Sequence, residues 1–319
     1  MDMTENQRVL VTGGAGFIGS HLLQGLAESG FAVEALDNLS TGNRANLPPR
    51  LPFHEIDVRA PTQVRDLIAD GGFTAVIHCA AQTSVERSMN DPETDREINV
   101  EGTRALLDAA GAAGVRRLVY LSSGGAIYGE SPKPADENSP PAPRSHYASH
   151  KLAAERLLAQ QPVPYTILRP SNVYGLRQRS DAEGGVVAIF LERLLSGRPL
   201  VIHGAGRQVR DFLHVSDVVS AVKVALDTPG SHVWNVCSGV PTSIIEMAHR
   251  LAAISGRSLS LEFRSRRAGD IENSVLNPAA LLATGRWGPP LPLDEGLRLL
   301  ISDSNATSGV EVAARRPAP

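Results

Sequence analysis

The stretch that most limits what this chain can become is its first apolar run and the glycines that break it. Val9-Leu10-Val11 leads into Thr12-Gly13-Gly14-Ala15-Gly16-Phe17-Ile18-Gly19. A helical pattern follows through Leu22 and Leu23 to Leu26, with Gly30 as its stop. Strand, glycine turn and helix in that order form the context in which a dinucleotide pyrophosphate is held. Gly13 permits the tight turn, Gly16 lets the backbone approach the phosphates, and Gly19 lets helix and strand pack closely. Exposed amides at the helix start complete the cradle. The spacing is G-x-x-G-x-x-G, for which a glycine turn without a ligand is the plain alternative. The next strand ends at Asp37, 18 residues beyond Gly19. An acid there accepts from the adenosine ribose hydroxyls and repels a 2′-phosphate, which points to NAD rather than NADP. The alternative for Asp37 is a cap before Asn38.

The rest of the first half repeats the alternation. Strand candidates are residues 53–56, 75–79, 118–121, 165–168 and 233–236, and helical stretches 62–69, 94–113 and 145–160 separate the early ones. Near-continuous apolar strands between helices predict an α/β fold with a doubly wound parallel sheet of the Rossmann type, covered on both faces. Ligands of such sheets bind beyond the carboxyl ends of the strands. Asp57-Val58, Ala80-Ala81-Gln82, Ser122-Ser123 and Arg169-Pro170-Ser171-Asn172 all fall there and outline one crevice. From Gly175 the pattern turns rich in Gly and Arg around a helix at 186–195. We therefore expect a dinucleotide-binding domain over 1–174 and a smaller α/β substrate domain over 175–302, with the strand near 233–236 returning to the main sheet. Later helices are expected at 244–254 and 293–301. Residues 303–319 show no apolar period and read as a disordered tail.

Composition excludes several classes of partner. A formal net charge of -3 offers no basic excess for a nucleic-acid backbone. Hydrophobic residues at 42% and charged residues at 20% describe a soluble globular chain. There is no stretch of 18 uncharged apolar residues, so no membrane partner is expected. The first seven residues lack the apolar core of a signal peptide, and a cytoplasmic protein is the expectation. Cys79 and Cys237, far apart within apolar runs, read as buried thiols rather than a disulfide or a metal site.

Tyr147-Ala148-Ser149-His150-Lys151 carries the chemistry. On a helix, Tyr147 and Lys151 are one turn apart on the same face. A phenol, with a reference pKa of about 10, is a poor base at neutral pH. A nearby ammonium favours the phenolate and brings it toward the working range. Such pairs also occur on solvated helix faces, and the neighbouring motifs decide between the two readings.

With those motifs in place, the chain resembles the extended short-chain dehydrogenase/reductase superfamily, and within it the NAD-dependent nucleotide-sugar epimerases of the UDP-glucose 4-epimerase type. The resemblance runs from about Arg8 to Ile301 through ordered blocks, among them Thr12 to Gly19, Asn99-Val100-Glu101-Gly102-Thr103, Ser122 to Gly129, Tyr147 to Lys151 and Arg267-Ala268-Gly269-Asp270. It implies that Gly13, Gly16, Phe17, Ile18 and Gly19 line the pyrophosphate, that Asp37 and Asn38 meet the adenosine ribose, and that Asp57 and Val58 flank adenine. It further places Ala80, Ala81, Gln82, Asn99 and Ser122 along the cofactor, with Lys151 on the nicotinamide ribose and Tyr147 as acid and base. Asn172, Arg210 and Arg267 would meet the substrate diphosphate and Asp270 its ribose. Read without the resemblance, Arg210 is a partner for Asp211 or a solvated charge, and Arg267 joins Arg264 and Arg266 in a basic patch. The implied partner is a UDP-sugar, and such epimerases often pair as homodimers through the helices here at 94–113 and 145–160.

Two departures bear on mechanism. Counting back from Tyr128-Gly129, the family's proton-shuttling Ser or Thr falls on Gly124, which leaves Ser123 as substitute or direct transfer to Tyr147. The dehydratases of the superfamily place a carboxylic acid two residues before the Tyr-Gly pair, where this chain has Ala126. Neither Ala126 nor Gly125 can take a proton from the sugar, which favours an epimerase over a dehydratase and leaves a ketoreductase of glycoside or antibiotic biosynthesis as an alternative. A non-catalytic NAD-binding member is the remaining alternative. Ser274, seven residues after Arg267, is a small residue where the family limits the sugar 2-substituent, so the N-acetylhexosamine pair is expected to fit alongside glucose and galactose.

Overall fold

Seven strands, all parallel, form the central sheet of this computed structural model, which describes residues 7–181, 185–266 and 270–314. They are Arg8–Thr12 (β1), Ala32–Asp37 (β2), Phe53–Glu55 (β3), Ala75–His78 (β4), Arg117–Leu121 (β5), Tyr165–Pro170 (β6) and His232–Val236 (β10). Their spatial order is β10-β6-β5-β4-β1-β2-β3, so the order reverses between β1 and β4. A crevice opens at such a reversal because the connections leave in opposite directions.

Alternate strand residues face opposite sides, and both sides are dry. Val9, Val11, Ile77 and Val119 point into one core with Leu22, Leu23 and Leu26 of helix Phe17–Ala27 and with Val218, Ala221 and Val222 of helix Val215–Asp227. Leu10, Val76, Leu118 and Tyr120 point into the other, against helices Pro61–Gly71, Gly102–Ala112 and His146–Leu158. Burial on both faces explains the unbroken apolar strands.

The smaller lobe contains the remaining strands, Asn172–Tyr174 (β7), Leu200–His203 (β8), Val209–His214 (β9), Pro241–Ser243 (β11), Leu261–Arg264 (β12) and Asn273–Ser274 (β13). β9 pairs with β7, β11 and β13, while β8 pairs with β12. Its core joins Phe190, Leu191 and Leu194 to Met247, Leu251 and Leu297. The lobe begins earlier than residue 175, because Asn172 already pairs with Phe212. It is also discontinuous: helix Val215–Asp227 and β10 pass back to the main sheet. The expected helix at 94–113 is a helical run in three parts, Pro92–Arg96, a π turn at Glu97–Glu101 and Gly102–Ala112. Helix Leu293–Ala314 enters the segment expected to be a disordered tail, since no proline interrupts the chain before Pro317. Among the described residues no helix is long and apolar enough to cross a membrane.

One buried ion pair locks the helix His146–Leu158 to the sheet. Arg169 on β6 meets Glu155 at 2.6 Å, and both side chains are buried. Glu155 also accepts from Ser122 Oγ at 2.5 Å, and Arg169 donates to Tyr128 Oη at 2.7 Å. Removing one member leaves the other charge stranded. Arg169→Leu is expected to destabilise the fold by about 3–5 kcal/mol, measured as a lowered urea midpoint; a change within error would show that water reaches Glu155.

Candidate active site

A cleft of about 910 Å³ runs along the carboxyl edge of the sheet and across to the smaller lobe. Its first wall is the glycine turn. Gly13 has φ +67°, and a Cβ there would lie 2.7 Å from Ala80 N. A Cβ on Gly19 would collide with the Gly13 carbonyl, so this helix starts closer to β1 than any other residue allows. The helix opens on Gly16 with no side-chain cap and no acid in its first turn. Its amides are therefore available to an anion. This cradle, which side chains would fill, fits a dinucleotide pyrophosphate.

Asp37, at the end of β2, accepts from Ala15 N at 3.0 Å and Leu39 N at 2.8 Å. Burial raises its pKa, and those amides counter the rise. An ionised carboxylate has about four acceptor sites, so two amides leave capacity for ribose hydroxyls. Asn38 Nδ2 donates to Asp57 Oδ2 at 2.8 Å. Arg59, paired with Asp57, holds that carboxyl down at about 2. Gly16, Phe17, Ile18, Val58, Ala80, Ala81 and Gln82 line the same cleft.

The opposite wall carries the acid–base pair. Tyr147 and Lys151, from helix His146–Leu158, both line the cleft and are 8% and 2% exposed. Ser145 caps this helix by accepting from Ala148 N at 3.1 Å, which sets the start of the turn that presents Tyr147. Lys151 Nζ donates to Leu121 O at 2.6 Å and lies 4.3 Å from the centre of the Tyr120 ring. Burial brings Lys151 down to about 8, with Cys79, Glu155 and Asp95 opposing. Burial also raises the Tyr147 phenol, against a hydrogen bond with Ser123 that lowers it. Burial disfavours ionisation of both groups, and positive charge near the phenol acts against that cost.

Ser122, Ser123 and Gly124 face different ways. Ser123 lines the cleft against Tyr147. Gly124 is buried on the other side, where a Cβ would collide with Leu276 Cδ1 and lie 2.9 Å from the Arg169 carbonyl. Ser122 reaches the cleft edge, but its hydroxyl is committed to Glu155. Asn99 is 1% exposed and does not line the cleft; it braces the loop behind, accepting from Gln82 N at 3.1 Å and donating to Gln82 O at 3.0 Å. The resemblance places Asn99 along the cofactor; the structure sets it in the π turn Glu97–Glu101, bonded to the Gln82 backbone.

Gly125, Ala126 and Asn172 also line the cleft, as do Arg210 on β9 and Asp270 of the smaller lobe. Arg210 pairs with Asp270 at 2.8 Å rather than with Asp211. Asp211 instead gathers Ser238 and Gly239 amides at the lobe junction. Ser274 sits behind the cleft wall, 3.4 Å from the Gly125 carbonyl. Arg267 lies outside the described residues. Sequence reading missed Arg144, Arg177 and Arg179, which also line the cleft; their isolation from recognisable motifs hid them.

The family model described as "NAD dependent epimerase/dehydratase family" matches residues 9–237. The chain belongs to this family. Within it, the chain is similar to a UDP-glucose 4-epimerase of Mycolicibacterium smegmatis, 40% identical over 301 residues that cover 91% of this chain and 96% of that protein. It is similar to the crystal structure of the Thermus thermophilus UDP-glucose 4-epimerase in complex with NAD, at 41% identity and TM-score 0.89, covering 93% and 98% of the two chains. It is also similar to the Thermotoga maritima UDP-glucose 4-epimerase with UDP-glucose, at 36% identity and TM-score 0.91, covering 95% and 100%. Family membership accounts for the cradle and the Tyr-Lys helix together. Gly124→Ala is expected to lower stability by about 1–3 kcal/mol through overpacking with no gain in turnover. Thermal unfolding measures the loss, and an unchanged melting temperature would place the Gly124 Cα outside the core.

Proposed function

We propose that this chain is an NAD-dependent epimerase that inverts C4 of a UDP-hexose through a transient 4-keto sugar. The observation that carries the reading is the placement of Tyr147, Lys151 and Ser123 on one wall of a cleft whose other end is the glycine cradle. Gly13, Gly16 and Gly19 would hold the pyrophosphate, Asp37 and Asn38 the adenosine ribose, Asp57 and Val58 the adenine edge, and Lys151 the nicotinamide ribose. Bound NAD⁺ supplies the two-electron acceptor that takes up and returns the C4 hydrogen, together with a positive charge beside the phenol.

Tyr147 takes the proton of the C4 hydroxyl, directly or through Ser123, as C4 gives up its hydrogen, and returns that proton to the C4 oxygen once the turned 4-keto sugar has regained hydrogen on its other face. Lys151, buried beside it, keeps its charge through Glu155 and Asp95 nearby. Gly125 and Ala126 leave room for the sugar to turn and carry no group able to take a second proton from it, which supports epimerisation over dehydration. Arg210 and Asp270, already paired, preset the diphosphate and ribose end, with Asn172 between. The relatives' substrates support UDP as the nucleotide. The reading extends to a cytoplasmic homodimer. Exposed Val85 and Met89 on helix Val85–Asn90, which packs on helix His146–Leu158, support pairing through that face.

Incubation of the purified holoenzyme with UDP-, dTDP- and GDP-hexoses, without added cofactor, is expected to give the C4 epimer from the UDP-sugars. Tyr147→Phe should cost about 10²–10⁴-fold in kcat with NAD content kept, and Ser123→Ala a smaller part of that range. Product that retains its configuration, or a keto sugar that accumulates stoichiometrically, would overturn the reading. The small Ser274 behind Gly125 supports acceptance of an acetamido group as well. Ser274→Tyr is expected to abolish turnover of UDP-N-acetylglucosamine while sparing UDP-glucose, and equal losses for both would exclude that role.

A further inference from the structure

Behind the acid–base pair lies a buried carboxylate that this chemistry leaves unused. Asp95, 0% exposed, stands in helix Pro92–Arg96 just before the π turn. Its Oδ1 accepts from Gln82 Nε2 at 2.6 Å and from Asn99 Nδ2 at 3.1 Å. Its Oδ2 is 2.6 Å from His150 Nδ1. Gln82 lines the cleft in the loop after β4, and His150 sits between Tyr147 and Lys151 in the catalytic helix. A single carboxylate thus joins the cofactor-facing loop to the helix that presents the phenol.

We propose that Asp95 and His150 act as a positioning pair, fixing the catalytic helix against the cofactor-facing loop and balancing charge beside Tyr147. The proposal rests on the epimerase reading, in which Tyr147 must gain and lose a proton. Asp95 is among the groups that oppose ionisation of Tyr147. A buried carboxylate without a counter-charge repels a phenolate, and the imidazole bonded to Asp95 is placed to offset that repulsion. The other groups facing this cluster are Lys151, and Glu155 with its partner Arg169, from the helix and β6. Tyr120 faces it from β5, Glu93 from the helix of Asp95, and His146, whose ring centre is 6.1 Å from that of His150, from the catalytic helix itself.

Two substitutions then act in opposite senses. Asp95→Asn removes the repelling charge, and His150→Gln keeps a donor toward Asp95 but removes the offsetting imidazole. The test is the pH profile of kcat/KM for UDP-glucose, measured on the NAD-loaded enzyme and both variants. The acid limb is expected to move down by about one pH unit in Asp95→Asn and up by a similar amount in His150→Gln. A purely structural pair would lower kcat and melting temperature without moving the limbs apart. Limbs that coincide with the parent enzyme's, or that move the same way, overturn the proposal. If Asp95→Asn does not fold, His150→Gln decides alone, because its side chain is partly exposed at 16%, and an unmoved limb refutes the pair. Tyr147→Phe, run in parallel, separates the two failures: turnover retained there sinks the epimerase reading itself, whereas turnover lost there with unmoved limbs sinks only the Asp95–His150 pair.

Discussion

The ion pair between Glu155 and Arg169 is the constraint on which the site depends. It is buried, so its strength comes from low dielectric and its cost from lost hydration, and the surrounding hydrogen bonds decide the balance. Those bonds come from Ser122 and Tyr128, the two ends of the segment that carries Ser123, Gly124 and Gly125. Glu155 lies two turns along the helix from Tyr147 and one from Lys151. The same contact therefore sets where the phenol stands and where the serine facing it stands. Tyr128 continues the network to Asn235 on β10, so the last strand of the sheet is tied to the same centre.

Burial then governs the chemistry. Tyr147 and Lys151 are hidden from water in a cleft whose opposite wall is a glycine turn, and desolvation works against the charge on each. Neighbouring carboxylates, Glu155 and Asp95, hold the lysine's charge but oppose a phenolate. In the proposed reading, a cofactor cation near Tyr147 would offset that cost and couple proton transfer to the presence of an electron acceptor.

Much of this was legible in the residues. The glycine spacing, Asp37 at the end of β2 and the Tyr-Lys pair are local patterns, and each lines the cleft. The parallel sheet followed from unbroken apolar strands. The helix expected at 94–113 was less legible, because a π turn at Glu97–Glu101 is a backbone adjustment that residue periodicity does not encode. Asn99, within that turn, is bonded to the Gln82 backbone.

By itself, the order of residues determined the fold class and the glycine cradle and set Tyr147 and Lys151 one helical turn apart, because each depends on contacts within a few residues or on a period of two or 3.6. Only the tertiary structure decided which way Ser122, Ser123 and Gly124 face. The answer depends on Leu276 and Arg169, distant in the chain, filling one side of that segment and leaving the other to Tyr147. It also decided that Arg210 pairs with Asp270 and not with its neighbour Asp211. Adjacent residues on a strand point to opposite faces, so sequence proximity keeps those two side chains apart while the fold brings a distant carboxylate within reach.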